Sequence, residues 1–330
     1  MPVIDVHTHM LSEAWVAWVA TLQAHGGPRY DVRTVIGGQR AVHLDGAPFM
    51  TLTPGMFDYG MRVAMMDEVG IDISIVSLTC PSVYWGGREV SCAAARAIND
   101  DMAAAQRAYP QRIRFFATLP WQYPADAVAE LARACDLGAV GVMVLGNIAG
   151  MHLTDPAIAP VWEEIDRRGL PVLLHPTVPP GYAEQALENY NLVASVGFMW
   201  DTTLAIARMV FDGFFDRYRN LKLIAAHAGA TLPYLAGRLD RCHEMMPACR
   251  VRIADRPSSY LKRIWYDSIA YTPEALALCV GFAGAERVLF GSDYPHNIGD
   301  PKGLLGLLNT LAPAAREAVR GGNAQKLFAL

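Results

Sequence analysis

The chain has 330 residues, of which 52% are hydrophobic, and its formal net charge is −4. This length and apolar content suffice for a large core, and the near-neutral charge argues against a nucleic acid or an anionic membrane as partner. The six cysteines include no Cys-x-x-Cys pair, a pattern typical of reduced thiols. We therefore expect a soluble, cytoplasmic protein that acts on a small molecule.

The first predicted strand covers residues 3–9 and contains two histidines. His7 and His9 are two positions apart, so their side chains project from the same face of the strand. Two neighbouring imidazoles are half of a metal site. Taken alone, the pair fits two unrelated histidines equally well.

Residues 12–24 have helical periodicity, and residues 29–53 have a different pattern. This second stretch combines β-formers with the turn signals Gly37-Gly38 and Asp45-Gly46. It predicts a small antiparallel β flap, inserted after the first strand and lying over the end of that strand.

From residue 58 onward, helices alternate with short apolar strands. The predicted helices cover 58–69, 89–108, 124–137, 156–168, 185–217, 231–245 and 273–283, and the predicted strands cover 73–78, 115–119, 140–145, 172–175, 221–227, 264–268 and 288–293. Apolar strands joined by helices indicate a parallel sheet, and eight of them favour a closed (β/α)8 TIM barrel. Because no linker interrupts this rhythm, we expect one domain over residues 1–330.

Several of these predicted strands end in a residue that can bind a metal or transfer a proton. The predicted fifth strand ends in His175, the sixth in His227 and the eighth in Asp293. The carboxyl ends of TIM-barrel strands form the active-site mouth, so these residues should meet His7 and His9 there. Each one alone could be a core residue, but the five together indicate a metal-dependent catalytic site.

Four segments carry a resemblance to a known family: Asp5-Val6-His7-Thr8-His9, Leu174-His175-Pro176, Ala226-His227-Ala228-Gly229 and Gly291-Ser292-Asp293-Tyr294-Pro295. They resemble the amidohydrolase superfamily, in the branch typified by aminocarboxymuconate-semialdehyde decarboxylase, nearly from end to end. The resemblance implies that His7, His9, His175 and Asp293 ligate one divalent metal ion, most often zinc. It also implies that His227 is an acid/base not bound to the metal, and that a homodimer is possible.

Two departures from the family's patterns narrow these expectations. Many amidohydrolases bridge two metals with a carboxylated lysine on the fourth strand, but this chain has no lysine before Lys222. The site should therefore be mononuclear. The muconate-semialdehyde decarboxylase binds substrate carboxylates with two arginines, and the resemblance places Met50 and Met246 at those positions here. Without these charge-assisted contacts, that dicarboxylate should not be the substrate.

The predicted reaction is the nonoxidative, metal-dependent decarboxylation of an unsaturated or aromatic carboxylic acid. Metal-bound water and His227 would handle protons, with Asp293 as a further catalytic residue. A hydrolase of a lactone, ester or amide, or a hydratase, would fit the same site, whereas the complete ligand set disfavours a noncatalytic barrel. Trp85, Trp200 and His296 are predicted walls of the substrate pocket. The other histidines receive no role: His25, His43, His152 and His243.

Overall fold

The computed structural model describes residues 1–21, 30–35 and 37–330. Its main sheet has eight parallel strands, which we number one to eight along the chain: Ile4–His9, Ile73–Ser77, Ile113–Ala117, Gly141–Leu145, Pro171–His175, Lys222–Ala225, Trp265–Asp267 and Val288–Leu289. The first and last strands also meet, because the Val6 amide donates to the Phe290 carbonyl at 2.9 Å. The sheet is thereby closed, which confirms the predicted TIM barrel.

Helices surround the barrel and cover its apolar strands. Their bounds are Glu13–Thr21, Tyr59–Val69, Arg88–Ala108, Pro124–Asp136, Ala159–Arg168, Phe198–Phe211, Phe214–Arg217, Leu232–Met245, Pro257–Leu261, Pro273–Ala283, Pro301–Leu307, Pro313–Glu317 and Asn323–Phe328. Local chemistry sets several of these bounds. The Asp58 carboxylate, for example, caps the helix Tyr59–Val69, which ends at Gly70 with a φ of 86°. Within the described part of the chain, every helix is too short or too polar to span a bilayer.

The β insertion is a three-stranded antiparallel sheet formed by Tyr30–Thr34, Arg40–Leu44 and Ala47–Thr51. Its second turn contains Asp45 and Gly46, both at positive φ, as the Asp-Gly signal predicts. Met50 and its neighbours line the same cavity as His175 and His227, so the sheet covers the barrel mouth. Where the structure describes it, this insertion agrees with the predicted flap. Residues 22–29 and 36, which include the end of the predicted helix and parts of the predicted flap, lie outside the described residues.

Two predicted strand ends are wrong. The sixth strand stops at Ala225 and the eighth at Leu289, short of His227 and Asp293. Both functional residues instead sit in turns, with φ of 54° at His227 and 58° at Asp293. This left-handed backbone cannot continue a strand, and it places each side chain over the mouth.

The predicted helical region 185–217 is also interrupted. A π-turn, Val193–Gly197, precedes the helix Phe198–Phe211, and Gly213 at a φ of 71° separates that helix from Phe214–Arg217. A further short hairpin, Asn147–Ile148 with Met151–His152, follows the fourth barrel strand.

Candidate metal centre and catalytic cavity

The four predicted metal ligands come together at the barrel mouth. One donor atom from each of His7, His9, His175 and Asp293 lies within 4.8 Å of the others, and all four residues are buried. His7 Nε2 is 3.1 Å from His9 Nε2, and Asp293 Oδ1 is 3.4 Å from His9 Nε2 and 3.7 Å from His7 Nε2. Ligand atoms about 2.0–2.1 Å from a tetrahedral zinc ion stand roughly 3.3 Å apart. The donor spacing therefore fits a single ion.

Hydrogen bonds to Nδ1 orient the three imidazoles. His7 Nδ1 is 2.6 Å from Asp267 Oδ2, and His175 Nδ1 is 2.7 Å from the main-chain carbonyl of the next residue. Both partners can only accept, so both Nδ1 atoms carry the proton. His9 Nδ1 lies 3.2 Å from the Ser77 hydroxyl, which itself donates to the carbonyl of residue 8. In their neutral form, all three rings therefore turn an unprotonated Nε2 toward the common centre, as metal-bound histidines do.

The electrostatics of the cluster also suit a cation. Burial lowers the pKa of His9 to about 3 and lowers that of His175 well below its usual value, so both rings are neutral at pH 7. Burial would raise the pKa of Asp293, but the neighbouring imidazoles of His227 and His9 outweigh it and hold the pKa well below its usual range. Neutral imidazole and ionised carboxylate are the forms that bind metals.

Without a cation, the cluster would be poorly satisfied. Two bare Nε2 atoms face each other, and Asp293 Oδ1 is buried with no hydrogen-bond partner among the described residues. Buried polar atoms in proteins are normally paired, so each such atom calls for an explanation. A divalent ion held by all four donors would explain these unpaired atoms. The residues present therefore fit the implied metal.

His227 lies beside this ligand set. Its Nε2 is 3.7 Å from Asp293 Oδ2, and its ring centroid is 5.0 Å from that of His7. Its Nδ1 has no hydrogen-bond partner among the described residues. His227 also lines the cavity above the ligands. The ring therefore faces the cavity, and its Nδ1 is not held by a described side chain or carbonyl.

Asp267 is a positioning residue that the sequence analysis missed. Its Oδ2 accepts from His7 Nδ1 and, at 2.8 Å, from the His227 amide, while Oδ1 accepts from the Ala228 and Ile269 amides. This one buried carboxylate thus fixes both a metal ligand and the turn that carries His227. Its place at the end of a predicted strand, 264–268, was a signal that could have found it.

Two further buried charges hold the mouth together. The Arg62 guanidinium donates to Thr8 Oγ1 and to the His9 carbonyl. Asp5 Oδ2 accepts from Ser292 Oγ at 2.6 Å, and its Oδ1 accepts from the Ser292 and His7 amides. These contacts tie the first strand to the loop that carries Asp293. Nothing in the sequence around Arg62 indicates this role.

A cavity of about 1260 Å³ opens above the metal ligands. His296 lines it, with Nε2 3.0 Å from Thr79 Oγ1 and its ring 4.9 Å from that of His9. Met50 lines it too, and no lysine or arginine does so among the residues that the structure describes. His296 and Met50 thus line the cavity, and among its described lining residues only histidines could carry a positive charge.

The two predicted tryptophan walls lie elsewhere. The Trp85 indole donates to the Ser82 carbonyl at 2.7 Å, so the ring folds back over its own turn, and Trp200 is 52% exposed to solvent. Neither is among the described residues that line the cavity. Of the histidines without a predicted role, His43, His152 and His243 lie outside the cluster, and His25 lies outside the described residues.

Comparison with known proteins decides the family. The family profile described as amidohydrolase matches residues 4–330. The chain belongs to the amidohydrolase family. A 2-amino-3-carboxymuconate-6-semialdehyde decarboxylase from Dictyostelium discoideum is 29% identical to this amidohydrolase, over 99% of this chain and 91% of the relative. A gamma-resorcylate decarboxylase from Polaromonas sp. is 30% identical over 82% of this chain and 86% of the relative.

A solved structure is similar over the same extent. It is a dihydroxybenzoic acid decarboxylase from Polaromonas sp. with bound manganese and the inhibitor 2-nitroresorcinol. It superposes on this amidohydrolase with a TM-score of 0.82 and 26% identity, covering 100% of this chain and 97% of that one. These comparisons confirm the superfamily and the decarboxylase branch expected from the sequence.

Proposed function

We propose that this amidohydrolase is a metal-dependent, nonoxidative decarboxylase of an aromatic or unsaturated carboxylic acid. Decarboxylases of such acids are prominent among its relatives, including those that act on 2-amino-3-carboxymuconate-6-semialdehyde and gamma-resorcylate. The proposal treats residues 1–330 as one domain, because a single core cluster reaches from Val3 to Phe328.

The observation that carries the proposal is the division of the histidines at the mouth. His7, His9 and His175 each have Nδ1 hydrogen-bonded and Nε2 turned to the centre, together with Asp293. His227 has no such bond at Nδ1 and faces the cavity. Three histidines are therefore held as ligands, and the fourth is left for acid–base chemistry.

The metal would be held by the four donors, and when bound it would polarise and orient the substrate's oxygen atoms. His227, in its protonated form, would then donate a proton to the ring carbon that bears the carboxylate. The bond between that carbon and the carboxylate breaks, carbon dioxide leaves, and the electron pair of the bond restores the ring. His227 regains its proton from solvent. Asp293 Oδ2, 3.7 Å from His227 Nε2, stabilises the imidazolium between turnovers.

We propose zinc as the ion. Three neutral imidazoles and one carboxylate form a donor set that suits zinc, although such sets also bind other divalent metals. The similar decarboxylase from Polaromonas sp. contains manganese, so this assignment needs its own test. Elemental analysis of protein purified without added metal should find about one zinc per chain. Two tightly bound ions per chain would contradict the mononuclear site, and one manganese would change the identity of the ion alone.

The reaction is tested with a panel of acids and lactones. The metal-loaded protein is incubated with 2,6-dihydroxybenzoate, 5-carboxyvanillate and simple aromatic lactones, and both carbon dioxide release and ring opening are measured. We expect carbon dioxide from at least one acid and no lactone hydrolysis. Ring opening without carbon dioxide release would replace the decarboxylase with a hydrolase on the same site.

A further inference from the structure

We infer that the substrate carries one carboxylate and, on the far side of its ring, an apolar substituent that occupies the outer cavity. This inference rests on the proposed function, since it assumes that the reacting carboxylate lies near the metal ligands and His227. It concerns the part of the cavity that takes no part in bond breaking.

The charges around the cavity leave room for one anionic group. A divalent ion would be balanced by the Asp293 carboxylate and by the Asp267 carboxylate behind His7, so the ion itself would be the one place that favours a substrate carboxylate. Among the described lining residues, the only other charged side chain is the acidic Glu188, near the exposed edge. A second carboxylate placed within the cavity would lose water and gain no cation. The site therefore selects against dicarboxylates.

The inner walls form an aromatic path that leads away from the ligands. Phe198 lies 6.5 Å, centroid to centroid, from the ligand His175, and Phe49 on the flap lies 6.2 Å from Phe198. Both phenylalanines line the cavity, and Met50 lies beside Phe49 with only 7% of its surface exposed. A flat ring can be held between such side chains, while its far edge points toward the mouth.

The mouth of the cavity has an apolar rim that remains in water. Tyr271, Leu278 and Ile298 line the cavity, yet they are 49%, 49% and 54% exposed. Exposed apolar patches around a groove are typical of ligand-binding sites. The volume of about 1260 Å³ also exceeds the roughly 300–1,000 Å³ usual for small-molecule pockets. An unsubstituted aromatic acid would leave this outer space and its rim uncovered, whereas an alkyl substituent would cover both.

The test is a matched series of ligands on the metal-loaded protein. Isothermal titration would compare 2-hydroxybenzoate with its methyl, propyl and pentyl derivatives at each open ring position, and with 2-hydroxybenzene-1,4-dicarboxylate. At one position at least, we expect binding to tighten by about fourfold for each buried methylene. The dicarboxylate should bind more weakly than 2-hydroxybenzoate. Affinities that stay flat or fall along every alkyl series would overturn the inference.

Carbon dioxide release, measured on the same samples, separates this inference from the proposed function. Alkyl-dependent binding without carbon dioxide release would refute the decarboxylase and leave the apolar outer site in place. Release of carbon dioxide from 2-hydroxybenzoate, with no dependence on the alkyl chain, would refute the outer site and leave the decarboxylase in place.

Two pairs of variants locate the effect. Leu278→Asp should abolish most of the gain from the alkyl chain, whereas Leu204→Asp, at a 38% exposed leucine that does not line the cavity, should not. Met50→Arg should bind the dicarboxylate at least tenfold more tightly than the parent protein does, whereas Met50→Leu should not. A Leu278→Asp protein that keeps the alkyl gain but changes its oligomeric state would assign the rim to a second copy of the chain and overturn the inference.

Discussion

The inner and outer parts of the cavity are built in opposite ways. In the inner part, His7, His9 and His175 are buried, and each Nδ1 has a hydrogen-bond partner. In the outer part, Leu278 and Ile298 are about half exposed, and apolar contact is their main means of interaction. Directional hydrogen bonds hold the inner side chains, and such bonds tolerate little change. The outer side chains interact by apolar contact, which depends less on direction.

This difference explains how one family can keep a site while its substrates differ. A metal ligand displaced by a fraction of an ångström loses coordination, so the inner side chains depend on the partners that orient them. An apolar wall needs only volume and contact, so it can be exchanged at small cost to the fold. Met50 lies on the flap and not on a barrel strand, so the lack of an arginine there leaves the residues at the barrel mouth in place.

The largest effect should come from removing a ligand. His175→Ala should lose the metal and lower turnover by more than about 10,000-fold, because both the cation and the geometry around it are lost. Elemental analysis and a carbon dioxide assay measure the two losses. The matched control is His152→Ala, at an exposed histidine outside the cluster, which should retain both. A metal-loaded, active His175→Ala protein would remove His175 from the ligand set.

The next largest effect should come from Asp267→Asn. Asparagine keeps the size of the side chain but replaces one accepting oxygen with a donor, so it cannot bond all of His7 Nδ1 and the three amides. We expect metal affinity to fall by about 10- to 100-fold, measured by competition with a chelator. Asp31→Asn, at an exposed ion pair, is the control. Unchanged affinity in Asp267→Asn would show that the inner ligands need no orienting partner.

A smaller effect should come from removing a buried hydrogen-bond acceptor that contacts the residues just after the fourth and fifth strands. The buried Asp201 accepts from Asn147 Nδ2 at 2.9 Å and from the Thr177 amide at 2.9 Å. Asp201→Ala leaves the Thr177 amide unpaired and leaves Asn147 Nδ2 with only its bond to the Val178 carbonyl. It should lower the free energy of unfolding by about 2–3 kcal/mol, measured by urea denaturation. A loss below about 0.5 kcal/mol would mean that this network contributes little to the inner part.

The smallest effect should come from the outer rim. Leu278→Asn changes a half-exposed side chain on the helix Pro273–Ala283. The free energy of unfolding should stay within about 0.5 kcal/mol of the parent value, and metal content should not change. Loss of metal in this variant would show that the outer rim affects the metal ligands. It would contradict the claim that the two parts of the cavity are held independently.

The sequence was sufficient to predict the barrel and the meeting of His7, His9, His175, His227 and Asp293 at its mouth, because the carboxyl ends of parallel strands lie together. The division of these five residues into four ligands and one acid/base came from the family resemblance and stays a proposal. The left-handed turns at His227 and Asp293 were not predictable, because residues other than glycine rarely adopt positive φ.

The orienting groups and the pocket walls were harder to predict. Arg62 acts through contacts with residues far away in the chain, which no local pattern encodes. The end of the predicted strand 264–268 places Asp267 near the mouth but does not identify its partners. The direction of Trp200 depends on helix phase, and the π-turn Val193–Gly197 just before it inserts an extra residue into the 3.6-residue period. Trp200 is therefore largely exposed to solvent and is not among the described residues that line the cavity.

The central claim is that four donors hold one ion while His227 moves the proton, and one paired measurement tests it most directly. Metal content and carbon dioxide release are determined for His227→Ala, using the best substrate of the parent protein. We predict about one metal ion per chain, an unchanged fold and a turnover lower by about 100- to 10,000-fold. A His227→Ala protein that lacks the metal would make His227 a ligand. One that is loaded with metal and as active as the parent would contradict the proton-carrying role.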